Sequence, residues 1–458
     1  MPTTAPTPPP PHRLWLKNPL AAFTANNLDA GGGVVISGGT IAEVVATGAS
    51  PATPCEEVFD AGRHVITPGL VNTHHHFYQS LTRAWAPVAN AELFPWLKNL
   101  YPVWARLAPR DLELATTAAL AELLLSGCTT AADHHYLFPD GLEDAIDLQV
   151  QVVRTLGMRA TLTRGSMTLG ENDGGLPPQS TVQDPDVILA DSERLVDMYH
   201  ERGDDAVIQI ALAPCSPFSV TRELMAESAQ LAERLDVRLH THLAETLDEE
   251  EFCRARFGLR TVDYLESVGW LGPRTWLGHG IHFDDAEIAR LGAAGTGIAH
   301  CPTSNMRLAS GTARILELEA AGAPVGLGVD GSASNDASNM VQEARQALYL
   351  QRLRYGASVP AERALGWATR GSARVLGRES LGEIAPGRQA DLALFTLDEL
   401  RFSGAHDPVA ALLLCGADRA DRVMVGGTWR VLDGQVPGLD LDALIAEHSK
   451  AARRLVAG

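Results

Sequence analysis

The sequence predicts an α/β fold: a (β/α)8 TIM-type barrel with a small composite β-sandwich domain formed by both termini. Three observations predict it. Between residues 70 and 375, eight short β-prone apolar runs alternate with helix-like segments, the pattern of βα units that closes into a barrel. The two ends of the chain share another texture, short strands joined by Gly-Gly turns at 38–39 and 426–427. No glycine-rich phosphate loop follows the first run, which argues against a doubly wound sheet.

The elements follow in order. Residues 1–11 read MPTTAPTPPPP, with six prolines and no apolar core, so they are expected to form a disordered arm and not a signal peptide. Residues 12–67 plus 380–437 form the expected composite β domain. Its strands are read at 34–36, 40–41, 58, 64–66, 391–395 and 422–429. Residues 68–379 form the expected barrel, with strands at 70–71, 129–132, 159–162, 207–210, 237–239, 275–277, 297–299 and 324–329. Segments such as 111–125 and 222–235 are the helices between them; Leu112, Leu120, Leu123 and Leu124 mark a core-facing stripe. Residues 438–458 read as a C-terminal helix. The long insert at 77–104 holds seven of the 26 aromatic residues. That much aromatic surface is normally covered. A lid over a planar ligand and a subunit contact explain it equally.

Composition narrows the function. Apolar residues make up 45% of the chain and charged residues 20%, a globular balance. Lysine plus arginine is 37 and aspartate plus glutamate 56, so 37 − 56 gives −19. An acidic chain does not suit a nucleic-acid polymer or an anionic membrane surface. No apolar run is long enough to span a bilayer. The six cysteines form no CxxC pair, which fits a reduced, cytoplasmic protein.

Histidines carry the chemistry. The first barrel run leads into Asn72-Thr73-His74-His75-His76. In extended chain, alternate side chains share a face, so His74 and His76 point together and His75 points away. An HxH alone is weak. Here the fifth run leads into His240-Thr241-His242-Leu243-Ala244-Glu245, the sixth into Gly278-His279-Gly280 and the eighth into Gly328-Val329-Asp330. All fall at carboxyl ends of strands, where barrel enzymes place their sites. Core histidines would scatter instead. Three imidazoles (His74, His76, His242) and the Asp330 carboxylate suit one Zn2+ with an open position for water. A two-metal site would need a bridging ligand such as a carbamylated lysine, and the fourth run leads into Ala213-Pro214-Cys215, with no lysine.

Glu245 is the expected proton shuttle. Its plain alternative is a first-turn helix glutamate. His279 is expected to hydrogen-bond the water or the developing oxyanion, against a core histidine. His134 and His135 stay open between substrate contact and packing. His300, His282 and His240 read as structural. Gln79 can read the edge of a polar heterocycle, or be an exposed loop residue. Cys215 reads as a buried thiol without an activating base.

Pro68-Gly69-Leu70-Val71-Asn72-Thr73-His74-His75-His76, Thr241-His242-Leu243-Ala244-Glu245, Gly278-His279-Gly280-Ile281-His282 and Gly328-Val329-Asp330-Gly331 together resemble the amidohydrolase superfamily. The resemblance covers nearly the whole chain and is closest to the mononuclear zinc nucleobase-deaminase branch. It implies one zinc per subunit, with iron or manganese as alternatives, held by His74, His76, His242 and Asp330. It assigns proton and water handling to Glu245, His279 and Asp330. The segments 74–83, 133–139 and 213–218 are similar to those of branch members acting on 8-oxoguanine and on hydroxylated s-triazines. Nucleoside-type deaminases of the branch tend to carry histidine where Cys215 stands. The implied reaction is deamination of 8-oxoguanine to urate and ammonia, with Gln79 and Cys215 contacting the substrate. The alternative is an s-triazine aminohydrolase or chlorohydrolase; a non-catalytic scaffold would not be expected to keep the full ligand set. The expected partners are a small planar heterocycle and water, with self-association of the chain, and neither nucleic acid nor membrane.

Overall fold

Eight parallel strands form one sheet whose order follows the chain, in a computed structural model that describes residues 12–203 and 205–458. The arm expected at 1–11 lies outside the described residues. The strands are Leu70–Asn72, Cys128–His135, Arg159–Ser166, Ile208–Pro214, Leu239–Leu243, Thr275–His279, Gly297–His300 and Val325–Leu327. The first and eighth meet just past their ends. Thr73 N–H donates to Leu327 O at 2.9 Å, and Asp330 N–H to His74 O at 3.0 Å. The sheet is thereby a nearly closed barrel, as predicted.

The interior explains the small residues in the strands. Val71, Ala132, Ala211 and Ala299 pack around Trp276, whose indole N–H reaches Thr73 O at 3.0 Å. One large ring filling a barrel requires small neighbours. Ala373, Val375, Leu376 and Leu381 belong to the same cluster. The site therefore occupies only the opposite, carboxyl end.

Strand limits differ from the sequence expectation where buried polar residues interrupt the apolar pattern. The second and third strands run eight residues each, to His135 and Ser166, and carry buried Asp133, His134, His135 and Arg164. The fifth begins at Leu239, where it was expected to end. The eighth stops at Leu327, three residues short of Asp330.

Both chain ends supply the five-stranded sheet, ordered Thr428–Val431, Arg422–Val425, Leu392–Thr396, His64–Pro68 and Ala21–Ala22. A four-stranded sheet contains Thr40–Val45, Gly33–Ser37, Arg13–Lys17 and Glu57–Asp60. Leu14, Leu16, Val34, Ile36, Ile66, Leu392, Leu394 and Met424 form the core they share. Gly69 alone separates His64–Pro68 from the first barrel strand. A Cβ there would lie 2.2 Å from Thr129 Oγ1, so only glycine lets the chain pass directly from sheet to barrel.

The C-terminal helix Leu441–Ala457 starts on an Asp440 cap, whose side chain accepts from Ala443 N–H at 2.9 Å. It packs on Pro109–Leu125, where Arg454 pairs with Asp111. Among the described residues, no helix is long and apolar enough to cross a membrane.

Candidate active site

His74 and His76 follow the first strand with their rings 4.7 Å apart, and His242 on the fifth strand lies 4.9 Å from His74. His75 turns away to Ser338 Oγ at 2.8 Å, as alternation in extended chain requires. Second partners fix which nitrogen each ring points inward. His76 Nδ1–H donates to His134 O at 2.7 Å, and His242 Nδ1–H to Cys215 O at 2.7 Å. His240 Nδ1–H donates to Trp276 O at 2.9 Å, so its Nε2 accepts from His74 Nδ1–H at 2.7 Å. All three clustered rings thus turn Nε2 toward the same point. Burial holds His74 and His242 well below the ordinary histidine range, which keeps them neutral.

His76 Nε2 lies 3.2 Å from His242 Nε2. Asp330 Oδ1 is 3.3 Å from the Nε2 atoms of both His74 and His76. His74 Nε2 is buried with no hydrogen-bond partner. Acceptors converging on acceptors in a buried site call for a cation, and neutral imidazoles with a carboxylate are a zinc-type donor set. The donor atoms of His74, His76, His134 and His242 all lie within 4.8 Å of one another, as do those of His74, His279 and Asp330. His134, left open by the sequence, stacks on His242 at 4.6 Å with Nε2 3.0 Å from Ala213 O. His135 is buried and tied to Leu137 O at 2.6 Å, a packing role. His282 is tied to Ser310 O, and His300 contacts Gln351, both outside the cluster.

Three site residues sit on left-handed backbone: Ala244 (φ 55°), His279 (φ 70°) and Asp330 (φ 63°). Each such conformation costs about 1–3 kcal/mol and persists only where the surroundings enforce it. Glu249 enforces the first. Its carboxyl accepts from Ala244 N–H at 3.0 Å and Glu245 N–H at 3.1 Å. Burial raises the Glu249 pKa to about 7. The turn it holds places Glu245 before the helix Leu247–Phe257 and not in its first turn. Glu245 instead lies buried, with Oε2 3.4 Å from His279 Nε2. Burial and then the Asp330 charge push its carboxyl well above the usual carboxylate range.

His279 ends the sixth strand with Nδ1 2.9 Å from Asn305 Oδ1 and Nε2 3.9 Å from Asp330 Oδ2. Asp330 Oδ2 accepts from Ser334 Oγ at 3.1 Å. Gln79 is buried in the turn Phe77–Thr82 rather than exposed, and its Oε1 has no partner. Cys215 is buried beside His242, Sγ to Nδ1 3.9 Å, and burial pushes its thiol to about 12. It lines the cavity as a thiol and not as a thiolate nucleophile.

His76, Gln79, Cys215, Glu245, His279 and Asp330 line one cavity of about 30 Å3. Leu93, Trp96, Leu97 and Tyr101 roof it from the helix Leu93–Trp104. The aromatic insert is a lid: Phe77, Tyr78, Trp96, Tyr101 and Trp104 are all buried by the chain itself. In the sequence His240 reads as structural, Tyr101 counts only among the aromatics of the insert, and Glu249, Asn305 and Ser334 have no role. The signal for His240 is its place in the HTH motif with His242.

The amidohydrolase family profile matches residues 65–430. This chain belongs to the amidohydrolase family. The amidohydrolase is 75% identical over 447 residues to the 8-oxoguanine deaminase of Pseudomonas aeruginosa, covering 97% of this chain and 100% of that protein. It is 39% identical to the hydroxydechloroatrazine ethylaminohydrolase of a Pseudomonas species, covering 85% and 83% of the two chains. Among solved structures it resembles the zinc complex of atrazine chlorohydrolase from Arthrobacter aurescens, with a TM-score of 0.89 and 32% identity over 96% of this chain and 100% of that one. The amidohydrolase is a hydrolytic deaminase with a histidine-rich site able to hold a metal ion.

Proposed function

We propose that this amidohydrolase deaminates 8-oxoguanine, with water, to urate and ammonia. The observation that carries the substrate is the 75% identity with the Pseudomonas aeruginosa deaminase, end to end. The geometry supports the chemistry.

His74, His76, His242 and Asp330 hold one zinc ion, with iron or manganese as alternatives. When bound, the metal supplies Lewis-acid polarisation at the mouth of the barrel. The remaining work belongs to side chains. Asp330 accepts one proton from the attacking water as its oxygen bonds to C2. Glu245, in its protonated form, gives its proton to ring nitrogen N3, removing the aromatic resistance to addition. His279, fixed by Asn305, hydrogen-bonds the added oxygen. Asp330 then passes its proton to the leaving amine, the C2–N bond breaks, and ammonia departs. The last proton on the added oxygen returns to Glu245, leaving a carbonyl at C2 and a proton on N3. Gln79 and Cys215 contact the base. All six cysteines are unpaired, which suits a reducing, cytoplasmic setting.

A substrate panel tests this reading: 8-oxoguanine, guanine, isocytosine and hydroxy-s-triazines, scored by ammonia release and urate absorbance. 8-Oxoguanine should give the highest kcat/KM. A hydroxy-s-triazine turned over faster would overturn it.

A further inference from the structure

The lid helix Leu93–Trp104 brings the cavity one polar group without a strong partner. Four residues of Leu93–Trp104 face it, Leu93, Trp96, Leu97 and Tyr101, spaced as one face of a helix. Two are leucines. The Trp96 indole N–H is already spent on Ala333 O at 3.2 Å. The Tyr101 hydroxyl is fully buried, and among the described residues it meets only the Cys215 thiol, a weak hydrogen-bond partner. Leaving a buried hydroxyl with only a thiol to bond is costly, and phenylalanine would fill the same space without that cost. Tyr101 and Cys215 face each other at the fourth strand. Gln79, whose Oε1 is unpaired, lies against Gly331 beyond the eighth strand, on the opposite side of the barrel. A flat ligand seated between these walls meets the metal cluster with one edge and the lid with the other.

We infer that Tyr101 is a specificity-determining residue whose hydroxyl donates a hydrogen bond to the C8 carbonyl of the substrate. This rests on the 8-oxoguanine reading above. With C2 held at the histidine cluster, the edge farthest from it is the imidazolone ring, and that edge meets the lid. The C8 oxygen is the acceptor that guanine lacks.

The test compares wild type and Tyr101→Phe, both full-length and zinc-loaded, on 8-oxoguanine, guanine and isocytosine. The variant should lose about tenfold to a hundredfold in kcat/KM on 8-oxoguanine, as expected when one buried hydrogen bond to substrate is removed. It should stay within about twofold of wild type on guanine and isocytosine, which have no C8 carbonyl and which also report that the variant is folded. Inhibition by urate, which keeps that carbonyl, should weaken in parallel. A wild-type enzyme inactive on 8-oxoguanine would sink the proposed function itself. An active wild type with a variant that loses equally on all three substrates, or on none, would overturn the role of Tyr101 alone.

Discussion

His74 Nδ1 donates to His240 Nε2 at 2.7 Å, and this bond decides which nitrogen of His74 faces the cluster. His240 can accept only because its own Nδ1–H is committed to Trp276 O, while its ring stacks on the Trp276 indole at 4.4 Å. A histidine that reads as structural in the sequence is thus the positioning residue for a candidate metal ligand. His240→Phe keeps a ring against Trp276 and removes the acceptor. Metal affinity, measured by chelator competition, should fall about 10–100-fold, the usual effect of losing the group that orients a ligating histidine. Unchanged affinity would mean that His74 is oriented by packing alone.

Gly331 and Gln79 form a second dependent pair. A Cβ on Gly331 would stand 1.9 Å from Gln79 Oε1. The backbone there is not left-handed, so glycine is required by close approach and not by conformation. The clash falls on the end of a flexible side chain, so Gly331→Ala should fold normally and displace the amide. Its kcat/KM should fall about tenfold, and Gln79→Ala should fall similarly. The double variant should be no worse than either single one, because both remove the same contact. Additive losses would separate the two residues.

The sequence was most readable where one residue type had one reason to occur. Apolar β-prone runs located all eight barrel strands, and their carboxyl ends exposed His74, His76, His242, Glu245, His279 and Asp330. It was least readable where polar residues are buried. Asp133, His134, His135 and Arg164 shortened the expected second and third strands, because patterning treats buried polar groups as surface. Glu249 was silent for another reason: it acts on the backbone of Ala244, and no side-chain motif records that. Asn305 meets His279 across 26 positions of chain. The aromatic insert was ambiguous because a lid and a subunit contact share one composition. Only the burial of Trp96 and Tyr101 within the chain separates them.

Glu343 gives the fold a pH dependence of known sign. It lies buried in the helix Met340–Tyr355 and joins two site loops. Its carboxyl accepts from Thr303 N–H at 3.0 Å, Thr303 Oγ1 at 2.6 Å and Asn335 Nδ2 at 2.9 Å. Burial nevertheless raises its pKa from 4.5 to about 8. Between those values the folded chain holds a proton that the unfolded chain has released. Stability therefore falls as pH rises through this window, by up to about 1.4 kcal/mol per pH unit from this group, and levels off above it. Asp133 and Glu249, both near 7, act in the same direction but finish earlier. Glu343→Gln removes the titration, so the stability of wild type minus variant, read from urea midpoints, should decline from pH 5 to pH 8. A difference that stays flat, or rises, would show that Glu343 is ionised in the folded protein throughout.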